Sequence, residues 1–145
     1  MSHVKKAAEL FANKFHCSQA VFAAFAEDLG ITEQQALKTS ACFGSGMRKG
    51  EVCGACIGAL MALGSKYGQC DKKDIDARLR TYEVTDKFLS EFKKENGSYI
   101  CNELLNHDIS TKDGFEAALG KNLFVEFCPK MVESATRIAE QLMTL

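Results

Sequence analysis

Four cysteines, each at or near the start of a predicted helix, are the residues best suited to chemistry: Cys17, Cys53, Cys101 and Cys128. A helix start offers backbone N–H groups that lack intrahelical partners, and it carries the positive end of the helix dipole. Both features favour ionisation of a thiol, and the thiolate is the form that attacks disulfides and binds metals. The pattern therefore predicts sulfur chemistry and leaves redox exchange and metal or cluster binding as open alternatives.

A C-x-x-C pair, Cys53-Gly-Ala-Cys56, opens one of these helices. Its spacing makes Cys53 the expected attacking thiol and Cys56 the expected resolving thiol one turn further on. Arg48 and Lys49, in the preceding glycine-rich segment, are expected to favour the Cys53 thiolate. No strand pattern leads into this helix, so a thioredoxin is not expected. An alternative of equal weight makes Cys56 a small core residue.

The same four cysteines are candidate metal ligands, because iron–sulfur clusters and zinc both accept four thiolates. Their wide separation matches no zinc ribbon or ferredoxin pattern, so the fold would have to assemble such a site. His16 is a candidate ligand beside Cys17, although a histidine at a helix end more often caps or packs. The remaining cysteines, Cys42 and Cys70, are expected to be structural or incidental.

The composition predicts helices as the elements that position these thiols. Alanine and leucine together number 30, against 12 for valine and isoleucine, and there is a single proline. This balance indicates an all-α, single-domain bundle of about five to seven helices spanning residues 1–145. The patterns place helices near 2–14, 17–30, 32–41, 52–67, 74–97 and from 128 to the end, with a short turn of helix at 101–105 and helical propensity at 115–119.

Two of these helices carry specific expectations. The helix near 52–67 is apolar all round through most of its length, which predicts a place in the middle of the fold. The longest helix, near 74–97, has acid–base pairs on a predicted solvent face. Its predicted inward residues are Ile75, Leu79, Tyr82, Leu89 and Phe92.

Charge and hydropathy exclude several classes of function. The net charge is −1 with interleaved signs, so neither nucleic acid nor an anionic membrane is an expected partner. The first residues form an amphipathic pattern rather than a signal peptide, and the apolar run at 52–64 is shorter than the ~20 residues that span a bilayer. We expect a cytoplasmic protein with no membrane insertion and an unidentified redox partner. The sequence is also compatible with a homo-oligomer.

The chain resembles the redox-active proteins of the C_GCAxxG_C_C family, which share a CGAxxG motif and four cysteines. Cys53-Gly-Ala-Cys-Ile-Gly58 carries the motif, within a longer family-like run at 50–68. The matching cysteines are Cys17 in His-Cys-Ser-Gln-Ala-Val, Cys101 in Cys-Asn-Glu-Leu-Leu and Cys128 in Cys-Pro-Lys-Met-Val. Cys56 lies outside the four-cysteine pattern.

The resemblance implies a redox role for the four shared cysteines. Related domains occur in split-Soret-type haem proteins, but this chain has no C-x-x-C-H, so covalent haem attachment is not predicted. Our leading hypothesis is a small thiol–disulfide redox protein, with an oxidoreductase activity as one form of it. The alternatives are an electron carrier that binds an iron–sulfur cluster or metal through the same cysteines, and a helical interaction protein whose cysteines are structural.

Overall fold

The computed structural model describes residues 2–143, and helices account for 76% of it. In chain order the α-helices are α1 His3–Ala12, α2 Cys17–Ala24, α3 Ala26–Leu29, α4 Glu33–Thr39, α5 Gly54–Tyr67, α6 Ile75–Asn96, α7 Cys101–Leu105, α8 Lys112–Gly120, α9 Leu123–Glu126 and α10 Cys128–Leu142. Seven of these have seven or more residues, and the described residues form no strand longer than an isolated bridge. The predicted all-α class is confirmed.

Most helix ends follow local sequence signals. The Ser2 hydroxyl accepts the Lys5 N–H at the start of α1, and Thr32 accepts the Gln35 N–H at the start of α4. Gly97 ends α6 in the left-handed conformation with φ of 91°. The predicted helix at 17–30 is interrupted at residue 25, which leaves α2 and the short α3.

The apolar helix α5 lies in the middle of the fold, as predicted, and packs against α2, α6 and α10. Its contact with α2 is exceptionally close at Gly58. A Cβ atom at this position would lie 2.5 Å from the Ser18 carbonyl oxygen and 3.2 Å from the Phe22 nitrogen. The two helices therefore meet backbone to backbone, and only glycine fits at the contact.

The long helix α6 differs between its two halves. Phe88 and Phe92 are fully buried in the core, as the second half packs against α5 and α10. The prediction that Ile75, Leu79 and Tyr82 face inward is wrong, because they are 51%, 55% and 53% exposed. None of residues 75–83 is buried, and the contact of this half with α5 includes Arg80, which lies over the Tyr67 ring and leaves the edge with Ile75, Leu79 and Tyr82 exposed.

Among residues 2–143, no helix combines the length and the apolar character that a membrane span requires.

The close contact at Gly58 makes a specific stability prediction. We expect Gly58→Ala to lower the free energy of unfolding by about 1–3 kcal/mol, because the new methyl group overpacks the α2–α5 contact. Urea unfolding followed by circular dichroism measures the change. Gly64→Ala in the same helix is the matched control, since a Cβ there has no atom within 4 Å. It should raise stability by about 0.5–1 kcal/mol, and equal effects of the two variants would contradict the close-contact interpretation.

Candidate cysteine site

All four cysteines stand at helix starts, as the sequence predicts. Cys17, Cys101 and Cys128 are the first residues of α2, α7 and α10, and Cys53 immediately precedes α5. Pro129 follows Cys128 in the first turn of α10, where its missing N–H costs no helical hydrogen bond.

The fold brings these four helix starts to one cavity of about 170 Å³. Cys53 and Cys101 are buried, whereas Cys17 and Cys128 are half-buried. The remaining lining residues are mostly apolar: Phe11, Phe15, His16, Ser45, Phe124 and Met131. Four sulfur atoms from distant parts of the sequence therefore face a single, mainly apolar space.

A single antiparallel β-bridge, between Val52 and Ile100, joins the segments that lead to Cys53 and Cys101, and it places the two cysteines diagonally across from each other. The Cys53 N–H donates to the Tyr99 carbonyl at 2.8 Å, and the Cys101 N–H donates to the Glu51 carbonyl at 2.6 Å. Because alternate residues of a bridge point to the same face, both cysteines lie on one face of it. The sequence analysis did not predict this pairing.

Gly54 of the C-x-x-C motif makes room for the sulfur of Cys17. A Cβ atom at Gly54 would lie 2.5 Å from Cys17 Sγ and 2.8 Å from the Phe43 carbonyl oxygen. With Gly58 one turn later, the two glycines of the motif both serve the close approach of α2 to α5. The motif thus encodes where Cys17 lies as well as where Cys53 lies.

A left-handed turn at residues 45–48 forms another side of the site. Ser45, Met47 and Arg48 have φ values of 56°, 57° and 63°, a conformation that costs roughly 1–2 kcal/mol for each residue with a side chain. The backbone N–H of Ser45 acts on Cys17 and lowers its pKa, against the larger opposing effect of burial. The turn thus directs one hydrogen-bond donor into the cysteine cavity.

The cationic side chains of this segment do not face the four cysteines. Arg48 instead lines a neighbouring cavity of about 430 Å³ together with Cys42, and Lys49 lines a second surface cavity. Neither contributes to the lowered pKa of Cys53, so the expected contribution of Arg48 and Lys49 to that thiolate is not seen.

Asn102 connects the start of α7 to two loops. Its Oδ1 accepts the Ile109 N–H at 2.9 Å, and its Nδ2 donates to Asp108 at 3.0 Å. A Cβ atom at Gly50 would lie 1.9 Å from the same Oδ1, so the segment before Cys53 passes directly against this amide. Asn102 is a positioning residue for the neighbouring Cys101, and no sequence motif identified it.

Cys53 is the one thiol of the group whose pKa is lowered. The largest cause is the thiol of Cys56, which acts as a hydrogen-bond donor to the Cys53 sulfur. Burial opposes ionisation, and the backbone N–H groups of Ala55 and Cys56 at the start of α5 favour it. The pKa of Cys53 is thus lowered in the direction that an attacking thiol requires, and its role in thiol exchange stays a prediction.

The other helix-start cysteines differ from the expectation. Burial, followed by repulsion from the Cys53 thiolate, raises the pKa of Cys17 to about 12. Burial and the charges of Cys17 and Cys53 raise the pKa of Cys128 to about 12. The pKa of Cys101 is also raised, mainly by burial and then by repulsion from the charges of Cys53 and Cys17. Desolvation thus outweighs the helix dipole at three of the four positions.

Cys56 fits both roles considered for it. It is fully buried in the core, and its thiol also interacts directly with Cys53. Burial and then the hydrogen bond to Cys53 raise the pKa of Cys56, so Cys56 stays protonated while Cys53 is ionised. Cys42 and Cys70 are exposed, which fits the incidental one of the two roles expected for them and not a role in core packing.

The described side chains offer no ready-made site for a single metal ion. All seven cysteines are free thiols, and among residues 2–143 no three histidine, cysteine, aspartate or glutamate side chains are placed to hold one ion. His16 lines the cavity and packs against Gly44. A Cβ atom built at Gly44 would lie 2.8 Å from the Cβ atom of His16. The described side chains therefore form no preformed zinc tetrahedron, although Cys17, Cys53, Cys101 and Cys128 line one cavity.

These surroundings predict that Cys56→Ala raises the pKa of Cys53. The substitution removes the strongest stabiliser of the thiolate, so Cys53 should ionise at a higher pH. Thiolate ultraviolet absorbance during a pH titration measures this, with Cys53→Ala subtracted to assign the signal. Cys128→Ala is the matched control, because Cys128 does not contribute to the Cys53 shift. An unchanged Cys53 midpoint in Cys56→Ala would contradict the assigned hydrogen bond.

Comparison with known proteins identifies the family to which the chain belongs. The family model described as "Putative redox-active protein (C_GCAxxG_C_C)" matches residues 15–142, a range that contains all five thiols of the site. No similar curated protein and no similar solved structure was found. Because the family model covers most of the chain, the protein belongs to the C_GCAxxG_C_C family of redox-active proteins.

Proposed function

We propose that the protein is a cytoplasmic thiol-redox protein that cycles between free thiols and a disulfide, with Cys53 as the attacking sulfur. The observation that supports this most is the shared cavity, where Cys53 lies among Cys17, Cys101 and Cys128 with Cys56 next to it. One thiol of low pKa surrounded by protonated thiols is the arrangement that disulfide exchange requires.

The exchange step uses one thiolate and one thiol of this group. The Cys53 thiolate attacks one sulfur of an oxidised substrate, so a bond from Cys53 to that sulfur forms as the substrate disulfide breaks. The departing thiolate takes the proton of a second cysteine. That cysteine, now ionised, attacks the Cys53 sulfur, which forms a protein disulfide and releases the second substrate sulfur as a thiolate that takes a proton from water. The two cysteines give up two electrons and one proton, and water supplies the second proton, which Cys53 had already lost to it on ionising.

Cys56 is the first choice for the second cysteine. It already contacts Cys53 through a hydrogen bond, and its own proton is retained while Cys53 is ionised. Cys17 and Cys128 are the more accessible thiols of the cavity, since both are half-buried. We assign them to the transfer of electrons between the buried pair and the substrate or partner.

The cavity also supports a second candidate, an electron carrier with an iron–sulfur cluster. The four cysteines line one cavity without being placed to hold a single ion, and a cluster takes its four cysteine ligands at separate corners. Cys17, Cys53, Cys101 and Cys128 would hold it, and their helix starts would favour the thiolates. Such a group supplies one-electron transfer.

One preparation separates these two candidates. Protein purified without oxygen is analysed for iron, acid-labile sulfide and visible absorbance, and its thiols are then titrated in dithiothreitol redox buffers. For the dithiol function we expect no stoichiometric iron and a two-electron transition, with a disulfide that mass spectrometry maps to Cys53. Cys53→Ser should abolish the transition, whereas Cys42→Ser, at an exposed cysteine outside the site, should retain it.

The opposite result has an equally clear meaning. Stoichiometric iron and sulfide that disappear in both Cys17→Ser and Cys101→Ser would replace the dithiol function with the cluster. A metal-free protein with no two-electron transition would overturn both candidates and support structural cysteines.

A further inference from the structure

We propose that the first half of α6 is the interface of a parallel homodimer, in which Ile75, Leu79 and Tyr82 of two copies pack against each other. This inference is independent of the redox function, because none of these residues lines the cysteine cavity. It concerns the face that the sequence pattern predicts as buried and the single chain leaves exposed.

The three residues form an apolar seam with the spacing of a helix pair. They occur at intervals of four and then three residues, the alternation that places side chains along one edge of a helix facing a second helix. Each is more than half exposed. Three large apolar side chains aligned on one helix edge form a contiguous patch, which indicates an interaction site.

Packing against a second copy would stabilise the first half of α6. Residues 75–83 include no buried side chain, whereas the second half of α6 is anchored by Val84, Phe88 and Phe92. Most helical stability in proteins comes from the packing of one face, and exposed helical turns are marginal alone. A second copy of the same seam supplies that packing.

Charged residues beside the seam favour a parallel arrangement. Arg78 precedes Leu79, and Glu83 follows Tyr82. In a parallel helix pair these flanking positions face each other, which places Arg78 beside Glu83 of the partner subunit, and by symmetry the pair occurs twice. An antiparallel pair would instead place Asp76 beside Glu83 of the partner subunit, a repulsive contact.

Existing contacts of these side chains do not prevent the pairing. Glu83 forms a 3.1 Å ion pair with Lys87, and the Arg78 Nε donates to the Tyr82 hydroxyl at 2.8 Å. All four side chains are exposed, and exposed pairs of this kind contribute little free energy. They can share or exchange partners when a second copy binds.

The seam has a defined end and a limited area. Asp86 occupies the next position of the repeat, so the apolar edge stops where α6 enters the bundle. Specific interfaces usually bury about 1,200–2,000 Å², and three half-exposed residues with charged flanks supply the low end of that range or less. We therefore expect a dimer that dissociates on dilution through the micromolar range.

Sedimentation velocity of the reduced full-length chain over a range of concentrations tests the seam. The chain should show a concentration-dependent dimer, and Leu79→Glu should weaken its Kd by more than about tenfold, since it places two charges in the apolar contact. The control is Val125→Glu, at an apolar side chain of 67% exposure on α9, which should leave the Kd unchanged. Circular dichroism confirms that both variants are folded.

A charge exchange and a cross-link then test the orientation. Arg78→Glu and Glu83→Arg should each weaken the dimer by about threefold to tenfold, and the double variant should restore it. In a parallel pair the exposed Cys70 residues that precede α6 lie at the same end of the interface. A short bis-maleimide should therefore cross-link the dimer, and Cys70→Ser but not Cys42→Ser should abolish the product.

Three results would overturn the proposal. They are a chain that stays monomeric at all concentrations, a dimer that Leu79→Glu does not weaken, and a dimer that neither cross-links through Cys70 nor recovers in the charge-exchanged double variant. The last result would show that the chain still forms a dimer but that its two α6 helices are not parallel.

Discussion

The close backbone contact between α2 and α5 is the constraint on which the cysteine site depends. Gly54 leaves space for the sulfur of Cys17, and Gly58 lets the Ser18 carbonyl reach the α5 backbone. Without that approach the start of α2 would stand further from the start of α5, and Cys17 would leave the neighbourhood of Cys53. The glycines of the CGAxxG motif are therefore part of the sulfur chemistry, although they take no part in any reaction.

Two opposing electrostatic effects then divide the thiols into different states. Four helix starts provide N–H groups that favour negative charge, while the apolar walls of the cavity disfavour it. Burial prevails at Cys17, Cys101 and Cys128, and the added donor from Cys56 reverses the balance at Cys53. One negative charge in the cavity also raises the cost of a second, so the free thiols form a set with a single preferred thiolate.

Much of the fold was predictable because local signals determine it. The helix starts at Ser2 and Thr32, the stop at Gly97 and the apolar character of α5 all follow from short-range chemistry. The inward assignment of Ile75, Leu79 and Tyr82 failed for a physical reason. An apolar edge indicates that a helix is covered, but it does not state whether the cover comes from the same chain or from another one.

The sequence by itself determined the helical class, the position of each family cysteine at a helix start, and the proximity of Cys53 to Cys56 one turn apart. These depend on residues close together in the chain. Only the tertiary structure decided that four distant cysteines share one cavity and that a bridge between Val52 and Ile100 joins the segments of Cys53 and Cys101. It also decided that Arg48 lines a different cavity. The ionisation of each thiol also belongs to the tertiary structure, because desolvation and neighbouring charges exist only once the helices have packed.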